Sequence, residues 1–231
     1  VITSTIAKTG LGQILSDVLI SAAAAITSDA TAVLIISTIF SAVAIIILGL
    51  AVPVTASFIL SWVIIGPALI ALGVDAPQVA MFIFYYAVLS EVSPPTALAA
   101  VASAAITGGR VIPTMMQAAK YTLPAFLAPM AFVVSNNGML LLSQGAFLDV
   151  LWASAVCGVA VAALAVATTG WMFGPTGRAE RILAVLAALF LLYLEAVSIA
   201  LGFGLLAVAE LIHLTTRRRR DRTLAHQTSA T

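Results

Sequence analysis

Two serines, a glutamate and a pair of prolines converge in one six-residue stretch, Ser90-Glu91-Val92-Ser93-Pro94-Pro95. Two consecutive prolines remove two backbone donors and restrict the residue before them, so an α-helix cannot run through this stretch unbroken. The serine hydroxyls and the freed backbone carbonyls suit a hard cation such as Na⁺. Thr96 is expected to open the helix that follows, where free N–H groups can meet a carboxylate.

A second interruption, at residues 48–57, combines small residues with a proline and contains no charge. Non-helical backbone at membrane depth persists only where it is buried in protein or lines a cavity. Broken membrane helices present their N-termini to anionic substrates and their carbonyls to a coupling ion. The expected ion ligands are Gly49, Pro53, Thr55, Ser57, Ser90, Glu91 and Ser93, and the expected substrate contacts are Pro94, Pro95 and Thr96.

Glu91 is the residue in these interruptions that most strongly indicates a function. An ionisable residue deep in a membrane segment is functional by default and faces the bundle interior, so it would bind a cation or carry a proton. The alternative is a structural carboxylate that pairs with a neighbouring hydroxyl or reaches the membrane surface from a helix end. Asp17 and Glu195 also interrupt apolar runs, and for both of them we favour a structural role.

The composition places the whole chain in a membrane. Of its 231 residues, 62% are hydrophobic and 8% are charged, with a mean hydropathy of +1.17, whereas about a quarter of the residues in a soluble domain are charged. The single Cys157 excludes a disulfide framework within the chain. No Ser/His, paired-Asp or metal-ligand set stands at helical spacing, so the sequence does not predict an enzyme.

Apolar runs of about 20 residues can span the bilayer as helices, and shorter runs must pair, re-enter or lie at the interface. The chain is therefore predicted to be an all-α, polytopic membrane protein. The predicted segments are a leading transmembrane helix at 1–29, a re-entrant hairpin at 30–76, a discontinuous helix at 77–109, an interfacial arm and a transmembrane helix at 110–145, extra C-terminal helices at 146–216 and a basic tail at 217–231. Within the later segments we expect spans at 123–142 and 147–169 and two short helices over 181–213.

The charges support one orientation of these segments. Basic residues mark cytoplasmic loops, and five of the ten basic residues lie between Arg217 and Arg222. With this tail in the cytoplasm, the remaining basic residues fall on the same side and the loop acids Asp29, Asp75 and Asp149 fall on the other. Charge does not separate a re-entrant hairpin from two full spans at 30–72, and the broken tip favours the hairpin. The tail itself is interpreted as a topology anchor rather than a nucleic-acid site.

Several stretches resemble one transporter family. The resemblance is carried by Leu48-Gly49-Leu50-Ala51-Val52-Pro53-Val54-Thr55-Ala56, by Gly66-Pro67-Ala68-Leu69, and by Ser93-Pro94-Pro95-Thr96-Ala97-Leu98-Ala99-Ala100. The first is similar to Gly-Met-Gly-Leu-Pro-Thr-Thr-Ala and the third to Thr-Pro-Pro-Val-Ala-Leu-Ala-Ala. Both motifs belong to the large membrane subunit of tripartite ATP-independent periplasmic (TRAP) transporters, and the resemblance is closest to fused permeases of the TAXI type.

This resemblance implies an elevator transporter built from inverted repeats, each with a re-entrant hairpin followed by a discontinuous helix. The chain would hold the second repeat, as the C-terminal half of a fused permease or as a split partner. Its hairpin tip and unwound loop would hold sodium and border the substrate. Glu91 stands where the family commonly has a small or apolar residue, which argues against simple Na⁺ coordination there, and Ser93 replaces the usual threonine.

The resemblance also implies the partners and the location. A periplasmic solute-binding protein would deliver an organic acid to the permease, and the first repeat and a small membrane subunit would complete it in the bacterial inner membrane. We expect Na⁺- or H⁺-coupled uptake, with no cofactor besides a bound Na⁺, no nucleic-acid partner and a cytoplasmic C-terminus. The alternative is a non-transporting or incomplete membrane scaffold that lacks the first repeat.

Overall fold

The computed structural model describes residues 10–50, 52–135, 137–172 and 174–228. The α-helices are α1 (Leu11–Ala24), α2 (Ala30–Gly49), α3 (Val54–Ile64), α4 (Gly66–Ala71), α5 (Ala76–Leu89), α6 (Leu98–Thr107), α7 (Val111–Leu127), α8 (Met130–Val134), α9 (Phe147–Thr169), α10 (Arg178–Leu192) and α11 (Ala196–Thr228), with 3₁₀ turns at Ser90–Val92 and Gly138–Leu142. Three helical segments in this part of the chain are long and apolar enough to cross a membrane: Ala30–Gly49, Phe147–Thr169 and Ala196–Thr215. The predicted all-α, polytopic membrane fold is confirmed.

The N-terminal half begins with the helix pair α1 and α2. Asp29 caps α2, because its Oδ2 accepts a hydrogen bond from the Ala32 amide at 2.8 Å. Residues 1–9, with Lys8, and residues 229–231 lie outside the described residues. The parts of the predicted leading helix and basic tail that fall there therefore stay predictions.

The first interruption is shorter than the sequence predicts. Helix α2 continues to Gly49 and α3 begins at Val54, so the break is narrower than the interruption predicted at 48–57. Pro53 is the N-cap of α3, where a missing N–H costs no intrahelical hydrogen bond. Proline therefore begins a helix here instead of interrupting one, and Thr55 and Ser57 are helical.

The second interruption divides the predicted discontinuous helix into α5 and α6. Asp75 and Gln78 form a capping box at the start of α5. After the 3₁₀ turn at Ser90–Val92 the backbone of Ser93 is extended, as expected before a proline. The prediction that Thr96 opens the second half is wrong by two residues, because α6 begins at Leu98 after an N-cap at Ala97.

The stretch predicted to span the membrane at 123–142 is not one continuous helix. Helix α7 runs from Val111 to Leu127 through Pro124, and the chain then continues as the short α8 and the 3₁₀ turn at Gly138–Leu142. Pro124 lies in the last turn of α7, where the loss of one intrahelical bond does not end the helix. Pro129 follows at the N-cap of α8, so no continuous helix of spanning length forms here.

The C-terminal helices match the prediction in part. Helix α9 has the predicted bounds of 147–169. The turn between α10 and α11 includes Glu195, as expected, but Gly202 and Gly204 do not interrupt α11, which is 33 residues long and continues into the predicted tail. The prediction of two short helices over 181–213 is therefore wrong for the second helix.

Gly202 allows α11 to pack closely on α10. A Cβ atom at this position would lie 2.6 Å from Leu191 Cγ and 3.0 Å from the Ala187 carbonyl oxygen. Small residues at such contacts let the backbones of membrane helices approach each other. Interhelical packing therefore explains this glycine, and it does not break the helix.

Substituting Gly202 with alanine should destabilise the protein by about 1–3 kcal/mol, because the added methyl group overpacks the contact with Leu191. Thermal unfolding of the purified protein in detergent would show this as a lowered midpoint. Gly204→Ala is the matched control on the same helix, since its Cβ would meet no atom within 4 Å. Equal midpoints for the two variants would contradict the close packing.

Two clusters of buried apolar side chains hold the helices together. The first includes Ile45, Phe82 and Tyr86 and joins α2, α3, α4, α5 and α8 around both interruptions. The second includes Ala160 and Leu191 and lies among the C-terminal helices. The first cluster therefore packs around the buried parts of both interruptions, while Pro53, Pro94 and Pro95 are exposed.

Candidate functional site

Three residues from separate elements meet where the two interruptions come together: Gly49 at the end of α2, Ser57 in α3, and Ser90 directly after α5. All three are buried, with Ser57 0% and Ser90 1% exposed. A Cβ atom added to Gly49 would overlap the Ser90 side chain and would lie 3.2 Å from Ser57 Oγ. The missing side chain of Gly49 is what allows both hydroxyls to approach this point.

The hydroxyls of Ser90 and Ser93 are oriented by the end of α5. Ser90 Oγ donates to the Ala87 carbonyl at 2.6 Å, and Ser93 Oγ donates to the Leu89 carbonyl at 2.7 Å. A hydroxyl has one proton and two acceptor lone pairs. Because each proton already has an acceptor, the oxygens can ligate a cation without breaking these bonds.

Four serine hydroxyls in the α2–α3 hairpin are fully buried and have no hydrogen-bond partner among the described residues. They belong to Ser37 and Ser41 on α2 and to Ser57 and Ser61 on α3. In each pair the residues are four apart and share one helix face. Buried hydroxyls nearly always have a partner, often ordered water, so this hairpin has a polar interior that a water molecule or an ion can satisfy.

The helix ends around the site favour opposite charges. Helix α2 ends at Gly49 and helix α5 ends at Leu89, so two C-terminal ends adjoin Ser90, and the negative end of a helix dipole stabilises a cation. Helix α6 begins after Ala97 without a side-chain cap. Its first N–H groups and positive dipole end are therefore available to an anion.

Glu91 lies in the 3₁₀ turn between Ser90 and Ser93 and is half-buried. Within the described part of the chain, no residue forms a hydrogen bond or an ion pair with its carboxylate. The structural alternative of pairing with a neighbouring hydroxyl is not seen, because Ser90 and Ser93 both donate to backbone carbonyls. The carboxylate can therefore accept a proton or a cation.

The side chains of the remaining expected ligands are less buried than those of Ser57 and Ser90. Pro53 and Thr55 are exposed, and since residues two apart on a helix do not share a face, Thr55 points away from the buried Ser57. Pro94 and Pro95 are exposed and Thr96 is half-buried. The structure thus brings together Gly49, Ser57 and Ser90 but does not bring Thr55 to them.

Sequence reasoning missed two sets of residues. The serines at positions 37, 41 and 61 stand in apolar helices, and their spacing of four, counting Ser57, was the available signal. The second set is a buried pair in the C-terminal helices, where Glu180 Oε2 lies 3.0 Å from His213 Nδ1. Its members are 33 residues apart, and no local pattern connects them.

The fold is that of a polytopic α-helical membrane protein. The family model described as "Tripartite ATP-independent periplasmic transporter, DctM component" matches residues 1–142, and the chain belongs to this family. The chain is therefore a membrane component of a TRAP-type transporter, from a family of transporters rather than enzymes. Comparisons with curated proteins and with solved structures gave no significant match. The predicted TAXI-type fusion stays a prediction.

Proposed function

We propose that this chain provides a cation site of a TRAP-type permease and couples entry of Na⁺ or H⁺ to uptake of an organic acid. The observation that carries the proposal is the meeting of Gly49, Ser57 and Ser90 at the two breaks. One of these hydroxyls, that of Ser57, is buried with no partner in the described residues. The adjoining helix ends have the sign that a cation requires.

The organic acid binds next to the ion, at the start of α6. A carboxylate there accepts hydrogen bonds from N–H groups that have no side-chain cap. Pro94, Pro95 and Thr96 form the link that precedes this helix, and they border the substrate. The cation and the substrate carboxylate then partly neutralise each other, which makes binding of either one dependent on the other.

The chain acts with partners in the bacterial inner membrane, with its C-terminus in the cytoplasm. TRAP systems combine this family with a periplasmic binding protein and a small membrane subunit. In the proposed assembly, the binding protein supplies the organic acid, and a first repeat and the small subunit complete the site. An elevator movement then carries the loaded site across the membrane.

Substituting Ser57 with alanine should raise the Na⁺ concentration that half-saturates uptake about tenfold, because a hydrogen-bonding contact to a charged group contributes about 1.5 kcal/mol. The measurement is uptake of radiolabelled organic acid into proteoliposomes that contain the complete permease and its binding protein, titrated with Na⁺. The substrate concentration for half-maximal uptake is recorded at saturating Na⁺.

Ser154→Ala is the matched control, because Ser154 is exposed on α9 outside the site. It should leave the Na⁺ dependence unchanged. An unaltered Na⁺ dependence in Ser57→Ala, together with uptake that a proton gradient drives equally well, would place the coupling ion elsewhere. The absence of any coupled uptake by the assembled wild-type permease would instead favour a non-transporting scaffold.

A further inference from the structure

A cavity of about 290 Å³ lies among the C-terminal helices, outside residues 1–142 that match the family. Its wall is apolar at one end, with Val159 from α9, Ala184 from α10 and Leu206 from α11. At the other end two carboxylates line it, those of Glu180 and Glu210. The cavity is therefore amphipathic.

The carboxylate of Glu180 is held in place by two donors. Its Oε2 accepts a hydrogen bond from the Gly177 amide at 3.0 Å and lies 3.0 Å from His213 Nδ1. Both Glu180 and His213 are 4% exposed. The Gly177 amide and the His213 ring together fix the position of the Glu180 carboxylate at the cavity wall.

The charges at this end favour a cationic ligand. Glu210 adds a second negative charge one helical turn before His213, and no lysine or arginine belongs to the described lining. The guanidinium of Arg181 is directed instead to the end of α9, where its Nε donates to the Ala167 carbonyl at 2.6 Å. A cation with an apolar substituent matches both ends of the cavity.

The surroundings indicate where such a cation comes from. Helix α11 exposes Val208, Leu211 and Leu214 beside the cavity, and its apolar part is long enough to cross a membrane. A helix of this length and composition can contact lipid acyl chains along its exposed face. The two carboxylates lie near the open end of the α10–α11 hairpin, where Arg178 begins α10 and is exposed.

We propose that this cavity binds the headgroup and the adjoining chain segment of a phospholipid with a primary amine, of the phosphatidylethanolamine class. The ammonium group meets Glu180 and Glu210, and the exposed Arg178 is complementary to the phosphate. The volume is at the lower limit of small-molecule sites, which begin at about 300 Å³, so it accommodates the upper part of the lipid. The acyl tails continue along α11.

Native mass spectrometry of the purified full chain in detergent tests this proposal with defined lipids. Wild-type protein should bind dioleoyl phosphatidylethanolamine about tenfold more tightly than the phosphatidylglycerol and phosphatidylcholine of the same acyl chains, because phosphatidylglycerol lacks the cation and the quaternary ammonium of phosphatidylcholine has no N–H to donate to a carboxylate. The double variant Glu180→Gln/Glu210→Gln should lose this preference. Asp149→Asn is the control, because Asp149 is exposed in the first turn of α9.

Glu210→Gln alone keeps the test decisive if substitution of the buried Glu180 impairs folding, because Glu210 is exposed. It should weaken phosphatidylethanolamine binding about threefold. Equal binding of the three lipids by wild-type protein would overturn the proposal, as would tighter binding of phosphatidylglycerol. Two further results would also overturn it. Saturable binding of octylammonium without lipid binding would indicate that the cavity takes a soluble amine. A lipid-free dimer whose interface covers the cavity would indicate that a second copy of the chain occupies this surface.

Discussion

Substituting Gly49 with alanine should reduce uptake at least about fivefold, since overpacking a tight contact costs about 1–3 kcal/mol. The added Cβ would overlap the side chain of Ser90, which is bonded to Ala87 and cannot move without displacing the turn after α5. The same methyl group would lie 3.2 Å from Ser57 Oγ and occupy the space between the two hydroxyls. Uptake into proteoliposomes, normalised to inserted protein, measures the loss.

Gly158→Ala is the matched control, because a Cβ at this position in α9 would meet no atom within 4 Å. Adding Ser90→Gly to Gly49→Ala removes the overlap together with one hydroxyl. This double variant should regain stability in detergent without regaining cation-dependent uptake. Wild-type uptake by Gly49→Ala would show that the break between α2 and α3 does not form the ion site.

Substituting Glu91 with glutamine should decrease coupled uptake about tenfold, the equivalent of ~1.4 kcal/mol. The half-buried carboxylate stands between two serines whose protons are already donated to carbonyls, so it is the group there that can take up a proton or share a cation. Glu91→Asp keeps the charge and should retain part of the activity. Initial uptake rates under an imposed Na⁺ gradient and under an imposed pH gradient separate these two roles.

A loss confined to the pH gradient assigns proton coupling to Glu91, and a loss under Na⁺ alone assigns a share in the cation site. Asp29→Asn serves as a control, because this exposed N-cap of α2 lies at the opposite end of that helix from Gly49. If Glu91→Gln and Ser93→Ala both leave coupled uptake unchanged in correctly inserted protein, the proposed coupling role of this break is wrong.

Local chemistry made the interruptions predictable. Two prolines in succession forbid a regular helix whatever surrounds them, and α5 indeed ends at Leu89. The residues at which the two interruptions begin and end depend on the backbone conformation of the capping residues, which composition does not show. Pro53 is the N-cap of α3, and Ala97 rather than Thr96 is the N-cap of α6, with a positive φ of 38°.

Helix phase decided which of the expected ligands come together. Thr55 and Ser57 are equally suitable by chemistry, yet they lie on different faces of α3, and only Ser57 is buried. The prediction from sequence described the hairpin tip as irregular backbone. Residues there do not lie on defined helix faces, so the prediction did not separate Thr55 from Ser57.

Tertiary contacts account for the features that could not be predicted. The span expected at 123–142 has the composition of a membrane helix, but Pro129 and the links around it divide it into short elements. In the sequence, Gly202 suggests a helix break. In the structure, its close contact with Leu191 explains why a glycine stands at this position. The Glu180–His213 pair exists only because α10 and α11 lie side by side.

One hydrogen bond in this structure bears on how the protein can be cut. Asn137 Nδ2 donates to the Leu194 carbonyl at 2.8 Å, and Leu140 and Leu141 pack on the second buried cluster with the C-terminal helices. These three residues lie before position 142, where the family match ends. A gene shortened at that boundary would encode a protein with an uncovered apolar surface and an amide without its acceptor. The limit of the family match is therefore not a folding boundary, and a shortened protein that folds has to keep the last three helices, α9 to α11.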